Sequence, residues 1–212
     1  MTINELPKTI AVFPLSNAIF FPKTILPLNI FEKRYIQLVS DCMKNNKLFG
    51  MIQPKSRTGL KPDVYKVGCL GKVVSLNETS DKRFVINLSG IIRFEIKKEL
   101  KTNKMYREFE VDYFNFMDDL NTNTTNLLDQ NIKNLIKKLK TLFGKKKYII
   151  QFDELEKLNI DQLIDAICMI SPFSIEEKQK LVEANNIEKK IETLEKIIDF
   201  NLFDYFGSRT MQ

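Results

Sequence analysis

The chain has 212 residues, enough for one or two domains with a substantial hydrophobic core. Its hydrophobic content of 43% and charged content of 28% are ordinary for a globular protein, and a net charge of +6 permits an anionic partner without requiring one. The sequence contains no histidine, which excludes Ser-His-Asp and Cys-His catalytic groups and histidine metal ligands.

Targeting and cysteine patterns point to an ordinary cytoplasmic protein. No apolar window is long enough to cross a bilayer, and the amino terminus carries Glu5 and lacks the basic region of a signal peptide. Cys42, Cys69 and Cys168 are widely spaced and form no CxxC pair. We therefore expect buried, unpaired cysteines and neither a disulfide framework nor a cysteine zinc site, and we expect no cofactor.

The chain opens with an apolar, proline-punctuated run. Pro14, Pro22 and Pro27 each lack an N–H and disfavour helix before them, so this part is predicted to be extended. At Phe31 the apolar spacing becomes helical, and a strand is predicted over residues 48–53. The apolar face of this predicted helix consists of Tyr35, Leu38, Val39 and Cys42.

Alternating apolar residues predict further strands in the middle of the chain, over 67–76, 83–89, 91–98 and 106–116. Gly90 is interpreted as the turn between the second and third of these strands. Residues 81–83 read Asp-Lys-Arg, so the hairpin there is expected to be wider than a two-residue Asp-Gly turn. Short strands, tight turns and one early helix favour a small closed barrel.

A polar, turn-rich segment separates this region from a helical one. We place a barrel subdomain at 1–116, a linker at 117–126 and a helical bundle at 127–212. Helices are predicted over 127–144, 160–170 and 187–206. Another helix is predicted to open at Ser174, where Glu177 follows at the spacing of a capping box.

The opening run and the middle strands resemble the substrate-binding domain of the Lon protease family. The chain carries Lys23 where that family usually has glycine, Asn29 where histidine is common and Lys33 where proline is common. The matching segments are Phe13-Pro14-Leu15, Ile19-Phe20-Phe21-Pro22, Leu26-Pro27-Leu28, Ile30-Phe31-Glu32, Arg34-Tyr35, Phe49-Gly50-Met51, VGCLGKV at 67–73 and FVINLSGIIRFEI at 84–96.

This resemblance, which extends from about residue 9 to residue 200, implies an α+β fold: a PUA-like β pseudo-barrel with one early helix, followed by a helical bundle. It also implies a non-catalytic module that binds unfolded or tagged polypeptides, as an adaptor in proteolysis or protein quality control, with a separate protease as a further partner. No membrane partner is expected. The chain has no G-x-x-x-x-G-K-[ST] phosphate loop and nothing resembling the family's Ser-Lys protease domain, so we expect no enzyme activity.

Candidate contact residues follow from exposure arguments. Phe20 and Phe21 are adjacent in an extended segment and point to opposite sides, so either both are buried or one belongs to an apolar contact surface. The full candidate set for partner binding is Phe20, Phe21, Ile25, Arg34, Arg57 and Lys61. A structural role is predicted for Pro14, Pro22, Pro27, Phe31, Glu32, Tyr35, Gly90 and Arg93.

Two other function classes remain open. Lysines cluster between Lys133 and Lys147, and such a basic helix face could bind RNA or DNA without reading its sequence, although the solvated face of a bundle helix explains it more simply. A small-molecule or enzymatic site would need convergent polar groups in a pocket, for which a chain without histidine offers few candidates.

Overall fold

The computed structural model describes residues 5–16, 18–56, 61–121, 130–155 and 157–207. The chain divides into two compact units, Met1–Asn121 and Thr122–Gln212. The first contains strands β1 (Thr9–Pro14), β2 (Ile25–Ile30), β3 (Leu48–Ile52), β4 (Val67–Glu78), β5 (Phe84–Leu100) and β6 (Arg107–Asp112), helix α1 (Lys33–Met43) and a 3-10 helix (Phe114–Leu120). The second contains α2 (Gln130–Lys145), α3 (Phe152–Leu155), α4 (Ile160–Ile170), α5 (Ile175–Glu183) and α6 (Ile187–Gly207).

The strands of the first unit close on themselves. Their order is β2-β5-β4-β3-β1-β6, and β6 also pairs with the second half of β5, which completes the barrel. Among the described strand pairs, β1 and β3 alone run parallel, and β2 pairs with the first half of β5 outside the closed ring. The α+β class with a pseudo-barrel, one early helix and a C-terminal helical part is therefore confirmed.

The long strand β5 corrects the prediction of a turn at Gly90. It runs without interruption from Phe84 to Leu100 and bends at a bulge, where its pairing with β4 shifts between Leu70 and Gly71. A bulge bends a strand without ending it, so β5 exchanges β2 for β6 as its neighbour on one side. A Cβ on Gly90 would lie 2.0 Å from the Phe21 carbonyl oxygen, so this close approach of two backbones requires glycine.

The predicted strand over 106–116 is also shorter than expected. It ends at Asp112, whose Oδ1 accepts a hydrogen bond of 2.9 Å from the Phe114 N–H, and a 3-10 helix follows. This local hydrogen bond from the backbone to an aspartate side chain favours a turn and competes with continued strand pairing. Tyr113 and Phe116 remain buried, which explains why the alternation of apolar residues continued past the end of the strand.

In the helical unit, the apolar helix faces predicted from residue spacing are buried. Leu135, Leu139 and Leu142 of α2 are fully buried, as are Leu194 and Ile198 of α6. The predicted bounds of α4 are confirmed, and so is the capping box at the start of α5. The four-residue helix α3 was not predicted. Among the described helices, none combines the length and apolar composition needed to cross a membrane.

Candidate functional site

A groove of about 810 Å³ opens on the barrel unit. We call it the hairpin groove, because the β5–β6 hairpin forms one of its walls and the end of β1 with the start of α1 forms another. Its lining residues are Val12, Phe13, Pro14, Leu15, Ser16, Glu32, Arg34, Tyr35, Pro54, Ser56, Lys61, Pro62, Glu99, Leu100, Lys101, Thr102, Lys104, Met105, Tyr106 and Arg107.

The first turn of α1 builds the first wall. The Tyr35 ring packs on Phe13 of β1 with a centroid distance of 3.9 Å, and the guanidinium carbon of Arg34 lies 4.5 Å from the centroid of the Tyr35 ring. The Arg34 Nε donates to Glu32 Oε2 at 3.0 Å. Burial raises the pKa of the Tyr35 phenol, which therefore stays protonated at neutral pH. The motif residues Glu32, Arg34 and Tyr35 thus form one stacked wall.

An ion-pair network forms the opposite wall. Arg107 of β6 holds Glu99 of β5 through two hydrogen bonds of 3.1 and 2.8 Å. Arg107 also donates to the Pro62 carbonyl at 2.8 Å, and Lys61 Nζ lies 2.8 Å from Glu99. These contacts connect the link between β3 and β4 to the hairpin. The hydrogen bonds from Arg107, followed by that from Lys61, lower the pKa of the Glu99 carboxyl to about 2.

The tip of the hairpin is fastened to α1. The Met105 N–H donates to Gln37 Oε1 at 2.9 Å, and the Tyr106 hydroxyl donates to Asp41 Oδ2 at 3.0 Å. The Lys104 Nζ lies 5.2 Å from the centroid of the Tyr106 ring and donates to a carboxylate oxygen of Glu108 at 2.7 Å. This hydrogen bond to Glu108 raises the pKa of the Lys104 ammonium group. The Met105 side chain remains 59% exposed at the rim.

The charges of the groove do not balance. The lining contains five basic and two acidic side chains, and Glu99 is shared by Arg107 and Lys61. Lys101 is exposed and makes no ion pair with any residue that the structure describes. At neutral pH the raised pKa values keep the Tyr35 phenol and the Lys104 ammonium protonated, and the lowered pKa keeps the Glu99 carboxyl ionised, so this arrangement is suited to binding by charge, hydrogen bonds and apolar contact.

Two of the predicted partner-binding residues, Arg34 and Lys61, line the groove. Ile25 lies on the edge strand β2, is 52% exposed and is not part of the groove. Arg57 lies outside the described residues. Phe20 and Phe21 are only 4% and 0% exposed. We therefore remove both phenylalanines from the contact surface. Both are buried in the barrel unit, which was the other alternative for this pair, because both sides of the extended segment face other parts of that unit.

The residues with a predicted structural role occupy several places in the barrel unit. Pro14, Glu32 and Tyr35 line the groove, Pro22 is buried and Pro27 lies exposed on β2. Phe31 is 62% exposed, with the guanidinium carbon of Arg83 6.0 Å from its ring centroid.

Arg93 is buried and holds the 3-10 helix. It makes two side-chain hydrogen bonds of 2.9 and 2.8 Å to Asp119, and its backbone N–H donates to the same carboxylate at 2.9 Å. Its guanidinium also lies 4.5 Å from the centroid of the Phe116 ring. Arg93 therefore acts in the packing of the barrel unit rather than on its surface.

On the opposite wall, sequence reasoning named Lys61 but missed the residues of the β5–β6 hairpin. The polar residues 101–104 between two alternating segments were a signal for a hairpin, but the pairing of Glu99 with Arg107 depends on strand register. It also missed the buried ion pair of Asp165 with Lys190 in the helical unit, whose atoms approach to 2.5 Å. Nothing in the spacing of these two residues indicates that they meet.

The basic run between Lys133 and Lys147 is partly engaged within its own unit. Lys138 pairs with Asp199 at 2.8 Å, and Lys146 donates to Asn201 at 2.9 Å. The ammonium of Lys140 lies 5.2 Å from the centroid of the Phe152 ring. These contacts favour a solvated bundle face for this run. Among the described residues, no group of three or more Cys, Asp or Glu is placed to hold a metal ion.

Comparison with known proteins finds related sequences and folds. Lon protease of Desulfosudis oleivorans is 32% identical over 106 residues, covering 48% of this chain and 13% of that protein. Lon protease of Dictyoglomus thermophilum is 24% identical over 196 residues, covering 89% of this chain and 24% of that protein. A Lon N-terminal domain protein from Xanthomonas campestris has a similar fold, with a TM-score of 0.64, 19% identity, and coverage of 88% of this chain and 96% of that one.

The chain thus spans about a quarter or less of the length of these two proteases, whereas it matches nearly all of the isolated Lon N-terminal domain. The family model for the ATP-dependent protease La (LON) substrate-binding domain matches residues 9–199. This match covers both units, from β1 into α6. The resemblance seen in the sequence is therefore confirmed, and the chain belongs to the LON substrate-binding domain family.

Proposed function

We propose that this chain is a non-catalytic module that recognises polypeptide substrates and acts as an adaptor in proteolysis or protein quality control. Membership of the LON substrate-binding domain family is the observation that carries the proposal. The hairpin groove supports the proposal, because it is an open cavity of about 810 Å³ whose lining presents charged, apolar and backbone groups together.

The mechanism is binding without covalent change. A polypeptide segment lies in the hairpin groove, where it meets the Met105 side chain at the rim and the charged groups around Glu99 and Arg34. Binding must offset the conformational entropy that a flexible chain loses when it is ordered, so the net binding free energy for each contact is small. Recognition then depends on unfolded or exposed segments rather than on a folded surface.

Calorimetry with a denatured model protein and with its folded form tests this proposal. We expect the unfolded form to bind and the folded form to give no heat. Absence of binding to any unfolded chain up to several hundred micromolar would contradict it, and ATP or casein turnover by the purified chain would contradict the non-catalytic role. For the adaptor role, addition of the chain should change the rate at which a Lon protease degrades the same substrate.

A salt titration with single-stranded RNA separates the proposal from a nucleic-acid-binding function. Binding of RNA that weakens steeply with salt, in the absence of binding to unfolded protein, would replace the proposed function with the nucleic-acid one. The engaged lysines of the basic run at 133–147 favour the polypeptide instead, because Lys138 and Lys146 already contact Asp199 and Asn201.

A further inference from the structure

The hairpin groove carries an excess of positive charge that the carboxylates described around it neutralise only in part. Arg107 and Lys61 share the single carboxylate of Glu99, and Lys101 has no ion-pair partner among the described residues. Lys61 is 67% exposed in its side chain and sits where the network opens to solvent. A carboxylate entering the groove would therefore meet the exposed side chains of Lys61 and Lys101.

The fixed parts of the network keep these cations in place. The two hydrogen bonds between Arg107 and Glu99, together with the bond from Arg107 to the Pro62 carbonyl, hold the link that carries Lys61. The Met105 and Tyr106 contacts with α1 hold the hairpin tip near Lys101. An anion thus gains charge-assisted contacts without first ordering the backbone around them.

Polypeptide fits this groove better than nucleic acid. Single-stranded RNA needs open aromatic faces for base stacking. Tyr35 and Tyr106 are each only 4% exposed, and Arg34 and Phe13 already pack against the Tyr35 ring. No open aromatic platform is present among the described lining residues of the groove.

Apolar groups beside the cations define the rest of the occupant. Met105 is 59% exposed, and its flexible thioether chain adapts to different apolar side chains. Leu100 and Pro62 also line the groove next to Lys101 and Lys61. The surface therefore alternates cationic and apolar contacts over a short distance.

We propose that the hairpin groove selects unfolded polypeptide segments in which acidic residues are flanked by apolar ones, with Lys61 and Lys101 receiving the carboxylates and Met105 receiving an apolar side chain. This inference rests on the proposed function and narrows it to a substrate class. It assigns specificity to the β5–β6 hairpin and to Lys61 and Pro62, which precede β4.

Fluorescence anisotropy with labelled peptides tests the inference. The probe is a short unstructured peptide with two glutamates between leucines, compared with its glutamine analogue and its lysine analogue. The groove variant is Lys61→Ala with Lys101→Ala. The control variant is Lys44→Ala with Lys72→Ala, which removes the same charge from two exposed positions of the barrel unit that do not line the groove.

We expect the glutamate peptide to bind about 5- to 10-fold more weakly to the groove variant than to the native chain, since each exposed ion pair contributes modestly. The control variant should bind it as the native chain does, and the glutamine analogue should bind the native chain about 5- to 10-fold more weakly. High salt should reduce the difference between the two peptides, because it screens exposed charges.

Other outcomes overturn the inference in distinguishable ways. Equal binding of the glutamate and glutamine peptides would refute the acidic preference, and so would a groove variant that binds the glutamate peptide as the native chain does. If a denatured model protein still bound in either case, the proposed function would stand. Loss of binding to every peptide and to the denatured protein would refute both. Tighter binding of single-stranded RNA, with displacement of the peptide, would refute the assignment of the groove to polypeptide.

Discussion

Replacement of Gly90 by alanine is the most direct test of how the barrel is built. An added Cβ would lie 2.0 Å from the Phe21 carbonyl oxygen and 3.0 Å from the Pro22 Cα. These are backbone atoms, so no side-chain rotation can relieve the clash. The Gly90 N–H also donates to the Thr24 carbonyl, and its carbonyl accepts from the Lys23 N–H, each at 2.9 Å. The segment before β2 would have to move away from β5.

The expected destabilisation follows from two contributions. Overpacking in a closely packed region costs about 1–3 kcal/mol. Movement of the segment before β2 away from β5 would also weaken the two hydrogen bonds of Gly90, each worth about 1 kcal/mol. We therefore expect Gly90→Ala to lower the free energy of unfolding by about 3–5 kcal/mol, a large share of the roughly 5–15 kcal/mol of a typical protein.

Urea unfolding followed by tyrosine fluorescence measures this effect, since the sequence has six tyrosines and no tryptophan. Four of the tyrosines, Tyr35, Tyr65, Tyr106 and Tyr113, belong to the barrel unit, so the signal reports mainly on that unit. Far-UV circular dichroism follows the helical unit in parallel, because the two units need not unfold together.

Gly144→Ala is the matched control. A Cβ at Gly144 meets nothing within 4 Å, and the residue lies in the last turn of α2. Alanine favours helix over glycine by up to about 1 kcal/mol, so this variant should be as stable as the native chain or slightly more stable. A Gly90→Ala variant within about 0.5 kcal/mol of the native chain, the scatter of ordinary surface substitutions, would refute the reasoning about the close approach.

Substitutions at four further positions test other parts of the barrel unit. Asp119→Ala leaves the buried Arg93 without its ion-pair partner, so we expect a loss of about 3–5 kcal/mol in urea unfolding, and no loss would show that the pair does not hold the 3-10 helix. Glu99→Gln should lower stability at neutral pH by about 1–2 kcal/mol. The pKa of the Glu99 carboxyl is lowered to about 2 in the folded state. The stability difference between the native chain and Glu99→Gln is therefore complete above the ordinary glutamate pKa and disappears as pH falls toward 2. A stability difference that does not change with pH would contradict the ion pairing of Glu99. Lys23 has a φ of 59°, so Lys23→Val should destabilise by about 1–2 kcal/mol in thermal unfolding while Lys23→Gly is tolerated, and equal effects would argue against the left-handed backbone. Gln53→Met should stabilise by about 1–2 kcal/mol, because the buried Gln53 amide has no hydrogen-bond partner among the described residues, and destabilisation would reveal a partner.

Local features of the sequence predicted local structure well. The four-and-three spacing of apolar residues located α2 and α6, and the Ser174–Glu177 pattern located the start of α5. Such features involve residues within one or two turns of each other, so they act before any tertiary contact forms. Gly90 was the exception: a glycine between two alternating segments is typical of a turn, and only its approach to Phe21 shows why it lies inside a strand.

The candidate site was only half predictable. Glu32, Arg34 and Tyr35 belong to a recognisable motif, and the structure brings them to one wall of the hairpin groove. The opposite wall comes from a hairpin whose residues carried no motif, and of the two alternatives left open for Phe20 and Phe21 the structure shows burial. Hydrophobicity alone cannot distinguish a core side chain from a contact side chain, since both surfaces exclude water.

By itself, the sequence determined the family, the α+β class, the extended character of the proline-rich opening and most helix bounds, because these depend on short-range backbone preferences and on a long spaced motif. The tertiary structure decided where the groove lies and what charge it carries. The contact of Tyr106 with Asp41 joins residues 65 positions apart, and that of Arg93 with Asp119 spans 26. Such pairs form only when strand register and barrel closure bring them together, and no local pattern encodes that distance.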